Sequence, residues 1–319
     1  MPSIKNLSTH GLPFGLMFHH FHGDHEQPMG QGSITATQFE QIVRDVGVEN
    51  ILDPNVWLDK FSHGALHPNE TCITFDDALL GQYNYALPVL DDYGIKAFWF
   101  IYSSVFEGKI EVLEIYRRFR NCYFLDFDDF FDSFINECNR QFPNMENVVD
   151  KLDVKHVDAI KKKFPFYSER DVAFRLIRDE YLTDRQYCSV MSELISKKSL
   201  SAQFLAKDLW LGNEDLKELS KSNHVIGLHG YDHSTNMASL SYKDQLDQYQ
   251  RNIDHLKAVT GVNPITMAHP NNSFCGATLG ILRDLGIQLG FRSNLDKAVD
   301  HGHPNFDLLV PRIDHSRLL

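Results

Sequence analysis

A chain of 319 residues, 43% hydrophobic and 23% charged, is long enough to bury a sizeable core as one large domain or two modest ones. Its formal net charge of −12 argues against nucleic acid as a partner. No apolar stretch reaches the length of a bilayer span, and the start "MPSIKNLSTHGLPFG" lacks the basic, apolar and small-residue order of a secretory signal. Five scattered cysteines with no CxxC pair read as reduced thiols, so a cytoplasmic location is expected and a thiolate metal site is not.

In chain order, seven short apolar runs stand out: "LPFGLMFHHF", "TCITFDD", "KAFWFIYSS", "HVIGLHG", "NPITMAHP", "IQLGFRS" and "DLLVPRID". Most follow a segment of helical periodicity. Two such segments, "LSYKDQLDQYQRNIDHLKAVTG" and "CGATLGILRDLG", end in Gly261 and Gly286, the residue that best tolerates the left-handed position after a helix. Buried strands alternating with amphipathic helices predict an α/β protein with a parallel sheet, open or closed into a barrel. From 107 to 211 this rhythm breaks. Charge and aromatics crowd a stretch with helical spacing and no buried strand, so a mainly helical insertion is expected within a single catalytic domain. Its "DFDDFFD" run lacks the glycine turn and closing glutamate of a calcium loop and reads as a solvated helix face.

Enzymes built on parallel sheets carry their sites at the carboxyl ends of strands, and the polar oddities of this chain fall there. Asp76 and Asp77 end the second run; His19, His20 and His22 follow the first; His229 and His233 follow the fourth; His269 follows the fifth; Arg312, Asp314 and His315 close the last. Each alone has a bland reading, such as a helix cap for the aspartates or a hydrogen-bonded loop residue for a histidine. As a set they suggest a site. His229 and His233, separated by three residues in "HGYDH", can reach one ion. Two imidazoles and one carboxylate, with positions left open for water and substrate, make a catalytic rather than a structural metal site. Either aspartate can be the ligand, which leaves the other beside the bound water as a general base.

The segments "TFDD", "HGYDH" and "AHPNNSF" resemble, in that order, motifs of the polysaccharide deacetylases, the NodB-homology or carbohydrate esterase family four proteins. The likeness is strongest from His224 to Asn294, covers Leu12 to Ser104 as well, and leaves the stretch between unmatched. It implies a distorted (β/α)7 barrel and a divalent metal, zinc first, with cobalt, nickel, manganese and iron accepting such ligand sets too. It also implies hydrolysis of an N-acyl group, typically acetyl, from an amino sugar. By position, Asp76 becomes the general base, and Asp77, His229 and His233 the metal ligands. Asn271 follows the Pro of the third motif and offers the backbone N–H that helps hold an oxyanion.

The chain departs from the family's pattern in several places. Ala78 stands where glycine is preferred. Ala268 replaces the arginine that braces the catalytic aspartate, and Arg312 is the best candidate to pair with Asp76 instead. The terminal "L-x-H" is not clear, so His19 is favoured as the acid that protonates the leaving amine, with His20 or His315 as substitutes. The substrate expected from these features is an N-acylated amino sugar, nucleotide- or lipid-linked, handled in the cytosol. A deformylase or cyclic-amide hydrolase on the same barrel is the alternative, and a degenerate glycan-binding protein a more distant one. The insertion could cover the site or make an oligomer contact.

Overall fold

The structure is a computed structural model, and it describes residues 12–23, 29–30, 32–163, 168–293 and 303–318. The chain divides into two compact units. One takes the stretches up to Glu111 and from Asp208 onward; the other is Val112–Lys207.

All seven apolar runs become short parallel strands of one sheet. They are β1 (Gly15–Phe18), β2 (Ile73–Asp76), β3 (Phe98–Ile101), β4 (Val225–Leu228), β5 (Thr266–Ala268), β6 (Leu289–Phe291) and β7 (Arg312–Asp314), in the spatial order β6-β5-β4-β3-β2-β1-β7. In the first unit α1 (Ala36–Val46), α2 (Pro54–Ser62), α3 (Leu87–Asp92), α10 (Asn213–Lys221), α11 (Tyr242–Thr260) and α12 (Gly276–Asp284) surround them. Residues on the two faces of a strand separate into two cores, as a period of two requires. Ile73, Phe75, Trp99 and Ile101 join the larger cluster, with Phe39, Leu256 and Leu282 from the helices. Cys72, Phe98, Phe100, Ala268, Leu289 and Phe291 form a second cluster on the opposite face. With both faces covered, continuous apolar runs are what such strands need.

The open edges of the sheet come back together. Val310 donates its N–H to Gly290 O at 2.9 Å, and the Arg292 N–H reaches Val310 O at 2.9 Å. The result is a nearly closed barrel of seven parallel strands with helices around it, the expected (β/α)7 architecture. Gly290 permits the closure. A Cβ there would lie 2.5 Å from the Leu308 carbonyl oxygen, well inside contact distance.

The second unit holds α4 (Val112–Cys122), α5 (Phe127–Gln141), α6 (Val154–Lys163), α7 (Glu169–Leu176), α8 (Asp184–Lys197) and α9 (Ala202–Ala206). Its core is aromatic: Phe174 packs edge to face on Phe130 and on Phe134, and the Arg120 guanidinium lies over Phe127, Phe130 and Phe174. The "DFDDFFD" run starts α5. Asp126 caps the helix by accepting the Asp129 N–H, and Asp128 and Asp129 sit in the first turn, where the helix dipole favours negative charge.

The units divide inside the limits of 107–211 read from the sequence. At one end, the Tyr231 hydroxyl donates to Glu107 within the barrel unit. At the other, Leu79 and Trp210 form an antiparallel bridge, and the Leu211 N–H reaches Ala78 O at 2.8 Å. Among the described residues no helix is long and apolar enough to cross a membrane.

Candidate metal and catalytic centre

β2 delivers the aspartate pair. Asp76 is its last residue, and the chain then turns sharply through two left-handed positions, Asp77 (φ 75°) and Ala78 (φ 55°). Glycine is the residue least strained at such a φ, so Ala78 carries a modest local cost of about 1 kcal/mol. The turn points the two carboxylates at different partners.

Asp76, 2% exposed, receives two hydrogen bonds from Arg312, Nη1 to Oδ1 and Nη2 to Oδ2, each 2.7 Å. Arg312 opens β7, and its guanidinium also donates to Thr74 Oγ1 at 3.1 Å and, through Nε, to the Arg292 carbonyl at 3.2 Å. Its planar face lies over Phe100 and Phe291. Burial alone would raise the Asp76 pKa, but Arg312 and then His229 outweigh it and hold the carboxyl below its ordinary value. Asp76 is therefore kept ionised in a dry place.

Asp77 faces the other way. Its Oδ1 is buried and accepts no aligned hydrogen bond among the described residues, yet His229 Nε2 lies 3.3 Å and His233 Nε2 3.2 Å away. His229 follows β4 directly, and its Nδ1 stands 2.9 Å from the Ala268 carbonyl oxygen. A carbonyl only accepts, so Nδ1 carries the proton and a neutral His229 turns the lone pair of Nε2 toward Asp77. His233 reaches the same point from a left-handed position, φ 56°. The three ligand atoms lie within 4.8 Å of one another.

Bare lone pairs gathered this closely repel, and a cation relieves them. With the imidazoles protonated instead, the same spot again favours positive charge. Burial opposes ionisation of Asp77, yet His233 and His229 beside it hold its pKa well below the carboxylate range. Burial likewise opposes a charged His229, and Asp76 and Asp77 carry its pKa above the ordinary value. The spot draws positive charge, and two imidazoles with one carboxylate suit a divalent transition ion. The residues present fit such an ion.

His19, just past β1, brings Nε2 to 3.6 Å from Asp76 Oδ2 and 4.0 Å from Asp77 Oδ2, with its side chain 26% exposed. The His20 ring stacks beside it at 6.1 Å. His315 is held elsewhere: it is buried, stacks on Phe18 and places Nε2 3.0 Å from Gly32 O. His269 is buried with Nε2 2.9 Å from Leu308 O, and burial pushes it down to about 4. Asn271 lies in the short helical turn Pro270–Asn272 that follows β5. It follows Pro270 in a left-handed conformation (φ 47°), and its side chain donates to Thr235 O at 3.4 Å.

Two buried residues near these groups carry no motif in the sequence. Gln82 Nε2 donates to His19 O at 2.8 Å and to Asp76 O at 2.5 Å, tying the ends of β1 and β2 together. It lies at the start of a π-helical turn, Gln82–Ala86, a geometry with no periodicity to reveal it. Tyr102, just past β3, lays its ring 5.1 Å from that of His233.

Comparison with known proteins agrees with this geometry. Residues 181–290 match the polysaccharide deacetylase family model. The match holds His229 and His233 but neither aspartate nor Arg312, and it begins upstream of the His224–Asn294 stretch singled out from the motifs. No curated protein matches the sequence. Among solved structures, the Streptococcus pyogenes deacetylase PplD in complex with acetate superposes with a TM-score of 0.57 at 16% identity, over 95% of this chain and 92% of that one. IcaB from Ammonifex degensii gives 0.51 at 16% identity, over 95% and 91%. A de-N-acetylase from Aggregatibacter actinomycetemcomitans gives 0.53 at 13%, over 94% and 93%. At these identities the likeness speaks for the fold. Over residues 181–290 the chain matches the polysaccharide deacetylase family, and its barrel has the fold of the solved deacetylases.

Proposed function

We propose that this protein is a metal-dependent hydrolase that removes an N-acyl group, in the first instance N-acetyl, from an amino sugar of a polysaccharide or its precursor. One observation carries the reading: Asp77 Oδ1 lies between two imidazole nitrogens, while the adjacent Asp76 is locked in its ionised form by Arg312. Two neighbouring carboxylates thereby take two roles.

Asp77, His229 and His233 would hold the divalent ion. When bound, the ion supplies Lewis-acid polarisation of the acyl carbonyl and of the attacking water. Asp76 takes the proton from that water. Arg312 fixes the Asp76 carboxylate in orientation and keeps it from being protonated before turnover. His19, within 4.0 Å of both aspartates, then protonates the leaving amine, so that the amide C–N bond breaks to give a free amine and a carboxylate. The N–H of Asn271 is the candidate donor to the carbonyl oxygen. The named chemistry of the structural relatives, a deacetylase with acetate bound and a de-N-acetylase, favours acetyl as the acyl group. Five free cysteines fit a reducing compartment, which favours a nucleotide- or lipid-linked precursor in the cytosol.

The test is release of acetate from N-acetylglucosamine oligomers by metal-loaded protein, run beside formylated and cyclic-amide compounds. Acetate release that stops on chelation and resumes with added Zn2+ or Co2+ supports the proposal. Turnover of only the formylated or cyclic compounds moves the chain to the alternative substrate class. Full activity in chelator removes the metal from the mechanism.

A further inference from the structure

β4 ends at Leu228; the His229 N–H still reaches Ile101 O at 3.1 Å, while the residues after it leave the sheet with backbone N–H groups to be satisfied. Helix α11 supplies side-chain acceptors. Asn252 Oδ1 accepts the His229 N–H at 3.0 Å, while its Nδ2 donates to Ile101 O at 2.9 Å and to Ser103 Oγ at 2.6 Å. The backbone donor and the backbone acceptor together fix which way the carboxamide faces. One helical turn earlier, Gln248 Oε1 accepts both the Tyr231 N–H and the Asp232 N–H, each at 3.0 Å. From the far side, the N–H groups of Ser103 and Ser104 reach Tyr231 O at 2.9 and 2.7 Å.

Asn252 is fully buried on the same helix face as Tyr249, Ile253 and Leu256, where packing alone asks for an apolar residue. Burying a carboxamide is costly unless its bonds are made, and here one is made to the His229 N–H and two to the end of β3 beside it. The peptide path between His229 and His233 contains a left-handed Gly230 (φ 76°) and ends in the left-handed His233. Such a path persists only when the surroundings over-determine it.

We propose that Asn252 and Gln248 are positioning residues: they fix the backbone on which His229 and His233 are presented to Asp77, and so set cation affinity without touching cation or substrate. The inference rests on the reading of Asp77, His229 and His233 as cation ligands. A purely structural role would lower stability and leave affinity unchanged, which makes affinity the deciding quantity.

The experiment titrates Co2+ into metal-free protein, followed by its visible absorption bands, with thermal melting of the metal-free protein alongside. Gln248→Leu is expected to weaken Co2+ binding about 10–100-fold, the range seen when groups supporting ligands are removed. Gln248→Glu keeps an oxygen acceptor and is expected to stay within about threefold of the parent. Gln248 is only half-buried, so its variants remain usable even if Asn252→Leu fails to fold; where Asn252→Leu does fold, it should weaken binding likewise. Parent-like affinity in Gln248→Leu, with only the melting temperature lowered, overturns the inference and leaves the proposed function standing. A parent protein that takes up no Co2+ overturns both.

Discussion

Arg312 and Asp76, 236 positions apart in the sequence, meet through two parallel 2.7 Å hydrogen bonds with almost no exposure of either side chain. A buried pair of this kind contributes little over an apolar pair but punishes the loss of one partner, because the other charge is left stranded. Arg312→Met is therefore expected to lose about 3–5 kcal/mol of stability. Adding Asp76→Asn to it should recover more than half of that loss. Urea unfolding of the two single variants and the double variant measures the coupling. A double variant no more stable than Arg312→Met would show that the pair is not the source of the cost.

The same geometry separates the two aspartates by function. Asp76→Asn should retain stoichiometric Zn2+ after dialysis, since Asp77, His229 and His233 are untouched, while turnover falls at least ~100-fold through loss of the base. Asp77→Asn and His229→Ala should lose the metal as well as the turnover. Metal content and kcat measured on the same preparations decide the matter. A metal-free Asp76→Asn would mean that this carboxylate is a ligand after all.

Of the three histidines that are candidates for the acid, His19, His20 and His315, the structure treats the first and the last differently. His19 faces both carboxylates with part of its ring exposed, whereas the His315 ring is stacked on Phe18 with Nε2 next to the Gly32 carbonyl. His19→Gln should lower kcat at least ~10-fold, leaving metal content and the melting temperature intact. His315→Gln should lower the melting temperature and leave kcat within about twofold of the parent. The reverse pattern would transfer the acid to the C-terminal segment.

Much of this was legible in the sequence, for a physical reason. A parallel strand covered on both faces must be apolar along its length, so each of the seven runs announced itself, and charges at their ends stood out against that background. Asp76, Asp77, His229 and His233 were visible for that reason. Arg312 could be named as a partner for Asp76 but not placed. Whether strands six and seven come together depends on a close approach at Gly290, and nothing in a local pattern reports it. The choice between His19 and His315 was hidden because it turns on which wall each ring packs against. Gln82 and Asn252 act through side-chain bonds to distant backbone, one from a π-helical turn and one from an otherwise apolar helix face. A polar residue inside the apolar stripe of α11 was the one available signal, and it is weak on its own.

Far from the metal ligands, His224 gives the barrel an acid-sensitive element. Its Nδ1 accepts from the Ala97 N–H at 3.1 Å and from Trp99 Nε1 at 3.2 Å, and burial lowers its pKa from 6.5 to about 4. The folded state thus holds His224 neutral, while the unfolded chain binds a proton there below pH 6.5. Stability therefore falls as pH drops from 6.5 toward 4, at about 1.4 kcal/mol per unit from this group. By pH 5 the loss from His224 is about 2 kcal/mol, and His269, also pushed down to about 4, adds a similar dependence. His224→Asn can keep an oxygen acceptor near the place of Nδ1 while removing the titrating ring. Urea unfolding at pH 7 and pH 5 should show the variant losing about 2 kcal/mol less than the parent between the two, with the His269 share remaining. Equal losses in the two proteins would mean that His224 is already neutral in the unfolded ensemble or already charged in the barrel. The second alternative would require the bonds to Ala97 and Trp99 to be broken, because a protonated Nδ1 cannot accept them.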